Sequence, residues 1–149
     1  MQYLHENGVQ HRDLKANNCL VERISESGEF RIKLADFGLS KSKILVTTCT
    51  GHSGPAGTVT HMAPELLLEN EFTEKSDVYS FGIVTWEILS RATAFEGLQK
   101  VQINAQVIAG MRPSPIPEES PAELVMLMQD CWDQEPFARP NFDRIVKQM

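Results

Sequence analysis

Cysteine is scarce: Cys19, Cys49 and Cys131 are the three in 149 residues. An odd number without metal-type spacing leaves no disulfide framework or zinc cluster to build, and fits reduced thiols in a cytoplasmic protein. Positive charge is also in deficit, with 14 Lys and Arg against 20 Asp and Glu and a net charge of −6. That balance argues against nucleic acid or a polyanionic membrane surface as a partner. No apolar run approaches the roughly 20 residues needed to span a bilayer. Met1-Gln2-Tyr3-Leu4-His5-Glu6 has neither the basic start nor the apolar core of a secretory signal. Internal repeats and long low-complexity tracts are missing as well. What remains has room for one domain with a sizeable core.

Along the chain, residues 1 to 7 read as the last turn or two of a helix. Asn18 to Val21 reads as a short strand, and Phe30, Ile32 and Leu34 alternate with Arg31 and Lys33 as a second. Ser25-Glu26-Ser27-Gly28 between them has turn chemistry, so a hairpin is expected. Residues 39 to 60, rich in Thr, Ser and Gly, have the composition of a mobile loop. Ser76 to Leu89 is apolar almost all round, the mark of a helix buried at the centre of a domain. Gln99 to Ala109 is a weaker amphipathic helix, closed by Gly110 and Pro113. Ser120-Pro121-Ala122-Glu123 reads as a helix start with Ser120 as N-cap. Leu124, Leu127, Met128, Cys131 and Trp132 then fall on one face. Asn141 can cap a final helix through Phe142, Ile145 and Val146. Two short strands followed by helices outline an α+β fold, mainly helical.

Three short motifs carry the chemistry: His11-Arg12-Asp13-Leu14-Lys15-Ala16-Asn17-Asn18, then Asp36-Phe37-Gly38, then Ala63-Pro64-Glu65. Alone, each is weak. In this order and at these distances they resemble the catalytic loop, metal-binding turn and activation-segment anchor of a protein kinase. Phosphoryl transfer needs an oriented acceptor hydroxyl and neutralised phosphate charge. Asp13 is suited to orient or accept the hydroxyl proton, and Lys15 to offer positive charge to the moving phosphoryl group. Asn18 and Asp36 are hard oxygen ligands for Mg²⁺. Gly38 permits a sharp turn after Phe37, which is expected to pack inward and hold Asp36.

The resemblance extends over residues 1–149 and implies a partial kinase domain, the large C-terminal lobe, with a β-hairpin carrying the catalytic loop and metal turn. Residues 1–9 are similar to the end of the helix before the catalytic loop, a helix expected to lie along the Ser76–Leu89 helix. Gly57-Thr58-Val59-Thr60-His61-Met62 resembles the segment that receives the substrate peptide, and Thr58 would bridge Asp13 and Lys15. The resemblance also implies that Asp77 hydrogen-bonds the catalytic-loop backbone, that Glu65 pairs with Arg139, and that Arg12 holds an activation-segment phosphate. Leu20 and Ala35 would floor the adenine pocket. ATP and Mg²⁺ are the implied co-substrate and cofactor, and protein hydroxyls the implied acceptors.

Lys15 and Thr58 resemble serine/threonine kinases, whereas Asp77-Val78-Tyr79-Ser80-Phe81-Gly82 and Cys131-Trp132 also occur in tyrosine kinases. The combination is most similar to the tyrosine-kinase-like group of serine/threonine kinases. A tyrosine or dual-specificity kinase, or an inactive fragment serving as an interaction module, stays open. His61 departs from the aromatic residue usual at its position. The 149 residues contain no Gly-x-Gly-x-x-Gly loop, strand lysine or helix glutamate ahead of the catalytic loop. The small lobe that grips ATP is therefore an expected partner, and the chain alone is expected to be inactive.

Overall fold

The computed structural model describes residues 1–26, 28–37, 41–42 and 58–149. Six helices are described: α1 (Gln2–Glu6), α2 (Pro64–Glu69), α3 (Glu74–Ser90), α4 (Lys100–Ile108), α5 (Ala122–Cys131) and α6 (Phe142–Gln148). The strands are β1 (Val9–Gln10), β2 (Cys19–Arg23), β3 (Phe30–Leu34) and β4 (Lys41–Ser42). They form two separate antiparallel pairs, β1 with β4 and β2 with β3. The α+β, mainly helical outline holds.

Helix α3 organises the molecule. Thr73 starts it: its Oγ1 accepts from the Lys75 N–H, while Ser76 Oγ accepts from the Thr73 N–H. This reciprocal cap satisfies donors that a helix start otherwise leaves open. One side of α3 buries Tyr79, Ile83 and Trp86 against Met62, Leu66, Ile103, Val107, Met128 and Trp132. Another side sets Val78 with Leu14, Leu127, Cys131, Phe142 and Ile145. Packing on both sides explains why so little of the helix is polar. Its last turn emerges, leaving Ile88 exposed.

Several boundaries differ from expectation. Helix α5 starts one residue later, with Pro121 and not Ser120 at the N-cap. Pro121 keeps an extended ψ of 127°, and its carbonyl accepts from the Leu124 and Val125 N–H groups. Ser120 instead closes a turn onto the Pro117 carbonyl. The expected face of α5 does form, with Leu127, Met128, Cys131 and Trp132 buried. Asn141 stands at the start of α6 but caps it by its backbone carbonyl, not its side chain, and Val146 is exposed. Within the stretch read as a loop, Lys41–Ser42 is a strand paired with Val9–Gln10. The rest of that stretch up to Gly57, including Thr47, Thr48, Thr50 and Ser53, lies outside the described residues, as does Gly38. Helix α1 packs mainly on α6 and β1, reaching α3 through a His5–Asp77 contact of 2.9 Å. It does not lie along α3, and Tyr3 is exposed.

Candidate active site

The loop after β1 is held from below by Asp77, in the first turn of α3. Asp77 Oδ2 accepts from the His11 N–H and Oδ1 from the Arg12 N–H, each at 2.8 Å. A carboxylate only 2% exposed needs such donors to be tolerable. The two bonds also hold Arg12 at a φ of 71°, a left-handed conformation rare for a residue with a side chain. His11 is fully buried beside the Ala35 carbonyl.

Asp13, Lys15 and Thr58 meet in one cluster. Lys15 Nζ donates to Asp13 Oδ2 at 2.7 Å and to Thr58 Oγ1 at 2.8 Å. Thr58 donates to Asp13 Oδ1 through both its hydroxyl, at 2.8 Å, and its backbone N–H, at 3.0 Å. Partial burial would raise the Asp13 carboxyl. The Lys15 and Thr58 hydrogen bonds and the Lys15 charge outweigh it, holding Asp13 below the usual carboxylate range. The carboxylate is therefore ionised at neutral pH and aimed by fixed donors.

Asn18 is buried in the single 3₁₀ turn of Ala16–Asn18 that enters β2. Its amide nitrogen donates to the Asp13 carbonyl at 2.8 Å, which turns its oxygen away from that partner. The Asn18 carbonyl accepts from the Ala35 N–H, one step beyond the Cys19–Leu34 pair of the hairpin. The hairpin therefore brings Asn18 alongside the strand end that leads to Asp36. An amide oxygen and an exposed carboxylate are a donor set that suits Mg²⁺, which takes few protein oxygens and keeps waters and phosphates. Leu20, on β2, is 54% exposed and Ala35 is partly buried, leaving an open apolar step beside this end of the hairpin. Phe37 is not packed into the interior. It stays 46% exposed and touches the His11 ring at 5.1 Å, because among the described residues nothing else covers it.

Glu65 and Arg139 pair as expected. Both guanidinium Nη atoms meet both carboxylate oxygens at 2.8 Å, and Arg139 is 1% exposed. Ser76 Oγ donates to Glu65, and Arg139 also donates to the Lys75 and Asp133 carbonyls. The pair seats α2, and with it the segment from Thr58, against α3 and the loop before α6. Tyr79 lies under the Arg139 guanidinium at 5.2 Å, and burial pushes its phenol up to about 12. Arg12 is not idle: its guanidinium donates to Gln10 Oε1 and sits over the Phe72 ring at 4.7 Å.

One pair was not foreseen. His61, 7% exposed, places Nε2 3.2 Å from Glu87 Oε2 on α3, while Glu87 Oε1 accepts from the Ala94 N–H at 3.0 Å. Burial would raise the Glu87 carboxyl, but His61 and the Ala94 N–H outweigh it and hold it low. The available signal was a histidine directly ahead of the apolar run Met62-Ala63-Pro64, where a buried ring needs a polar partner. Next to this pair a cavity of about 420 Å³ opens beside Lys15 and Thr58.

The chain belongs to the protein tyrosine and serine/threonine kinase family, whose sequence model matches residues 1–149. Its relatives are of the tyrosine-kinase-like type. It is 42% identical over 98% of its length to serine/threonine/tyrosine-protein kinase HT1 of Arabidopsis thaliana. Similar matches are the dual specificity protein kinase shkC of Dictyostelium discoideum, at 40% over 98% of the chain, and the mitogen-activated protein kinase kinase kinase dlk-1 of Caenorhabditis elegans, at 41% over 97%. The chain spans 35%, 28% and 15% of those three proteins.

Proposed function

We propose that these residues form the acceptor and metal side of a protein serine/threonine kinase that moves the γ-phosphate of ATP to protein hydroxyls. The observation that carries this reading is the Thr58 bridge, which contacts Asp13 and Lys15 at once. In this role Asp13 receives the acceptor hydroxyl in hydrogen-bond reach and takes its proton as the oxygen attacks. Lys15 faces the charge that builds on the phosphoryl oxygens. Asn18 and Asp36 would hold Mg²⁺, which would supply positive charge to neutralise the phosphates. Leu20 and Ala35 floor the adenine. Arg12 exchanges its Gln10 contact for an activation-segment phosphate, whose added charge it can pair. Lys15 and Thr58 resemble the residues of serine/threonine kinases at these positions, and on that resemblance serine and threonine are the preferred acceptors. A dual-specificity reading is favoured by the names of the relatives HT1 and shkC.

The chain supplies no phosphate cradle of its own among the sequence motifs. Unaided, it is expected to transfer phosphate poorly and to serve at most as a protein-binding module. The small lobe of the same kinase is the partner it needs, and the ATP-rich cytoplasm the setting that fits its free Cys19 and Cys131. The test joins the 149 residues to such a lobe and analyses the phosphoamino acids of a labelled protein substrate. Phosphoserine and phosphothreonine are expected; phosphotyrosine as the main product overturns the preference. In the same chimera Asp36→Ala should weaken Mg²⁺-dependent nucleotide binding, and an unchanged Mg²⁺ requirement removes Asp36 from the metal site.

A further inference from the structure

The cavity next to the Asp13 cluster has an uneven charge. Its lining includes Lys15, Thr60, His61, Glu87 and Arg91, and Glu87 is the one carboxylate among the described lining residues. Both Glu87 oxygens are already engaged, Oε2 by His61 and Oε1 by the Ala94 N–H. The hydrogen bonds fix the ring's roles even for a neutral imidazole. Thr60 Oγ1, 2.8 Å from Nδ1, can donate its hydroxyl proton there, which leaves Nε2–H to donate to Glu87. Lys15 is likewise engaged, by Asp13 and Thr58. Arg91 differs. It is exposed just past the end of α3, at a φ of 54°, and among the described residues its guanidinium has no hydrogen bond or ion pair. An arginine there also offsets the negative carbonyl end of the helix.

We propose that this cavity is a subsite for an acidic side chain flanking the phosphorylated residue of the substrate, with Arg91 as its attractor. His61 is the second specificity determinant, because by holding Glu87 it keeps that carboxylate from recruiting a basic side chain. Discrimination thus has an attractive element and an excluding one. The proposal rests on the kinase reading for what occupies the cavity, but its test needs no phosphate transfer.

Two fluorescent peptides are titrated with the 149-residue chain in the absence of nucleotide. They differ only in whether their serine is flanked by Asp or by Lys. A chain of net charge −6 would by itself favour the Lys peptide, so an acidic preference points to the local site. The Asp peptide is expected to bind about threefold to fivefold tighter at low salt, with the ratio shrinking as salt is added. Arg91→Ala, at an exposed position, should abolish or reverse that ratio. His61→Phe should raise the affinity for the Lys peptide by about fivefold, as expected for one freed partly buried carboxylate. Tighter binding of the Lys peptide by the parent chain overturns the proposal. So does an unchanged ratio in Arg91→Ala, or no binding of either peptide. If His61→Phe loses its helical circular dichroism, the Arg91→Ala ratio decides alone. Failure of phosphate transfer in the chimera, with the peptide preference intact, instead removes the kinase assignment.

Discussion

The residues that matter most here are charges held by several donors at once. Arg139 illustrates the energetics: it is buried, bidentate with Glu65, and bonded to three backbone carbonyls. Replacing it by an apolar residue of similar length leaves Glu65 uncompensated, since Ser76 Oγ alone cannot neutralise it. Arg139→Met should therefore lose about 3–5 kcal/mol of stability in urea unfolding, and a loss below about 1 kcal/mol would mean the pair is solvated in solution. Asp13 gives a pH signature. Its folded pKa is lowered, so its contribution to stability is full above the ordinary aspartate value of about 4 and fades as pH falls through the lower folded value. The acid limb of the stability curve should accordingly be steeper below about pH 4 in the parent than in Asp13→Asn. Identical limbs would show that Lys15 and Thr58 do not hold the carboxylate. Asp13, Lys15, Asn18 and Asp36 were legible because a local motif names them. Glu87 and His61 are 26 positions apart and share no local pattern, so only the fold reveals their contact.

At the level of elements, what could be read depended on length and periodicity. The β2–β3 hairpin, the all-round apolar α3 and the one-sided α5 each carry a repeating pattern over five residues or more. Strands β1 and β4 have two residues each, too few for any period, and their pairing joins segments some thirty positions apart. The N-cap of α5 was misplaced for a different reason. Proline fixes φ but leaves ψ free, so Pro121 serves as well outside the first turn as within it. The contact between α3 and α5 yields a sharper prediction. A Cβ on Gly82 would stand 3.1 Å from both the Cβ and the backbone nitrogen of Trp132, and 3.2 Å from the Cys131 Cβ. Those neighbours belong to a packed helix end and cannot swing aside. Gly82→Ala should cost about 1–3 kcal/mol by overpacking, although alanine favours helix. A stabilised variant would mean that α5 sits farther from α3 than described.

At the scale of the whole molecule, one lobe of helices presents a single loaded edge. Asp77 fixes the loop, the hairpin sets Asn18 beside the approach to Asp36, and the Glu65–Arg139 pair seats the segment that brings Thr58 onto Asp13. The hairpin leaves Val21 and its cross-strand partner Ile32 at 64% and 65% exposure, with Phe30 open on the same face. An apolar face of this kind is a docking surface or an aggregation risk, and it lies on the same hairpin as the proposed nucleotide floor. The central claim, that Asp13 orients the attacking hydroxyl, is tested most directly by single-turnover phosphate transfer in the small-lobe chimera. The measurement compares the parent with Asp13→Asn at saturating Mg²⁺ and ATP. The account predicts unchanged nucleotide binding and a rate lower by about a hundredfold or more, the range for loss of a positioned base. A rate within about tenfold of the parent, with nucleotide binding equal, would contradict it.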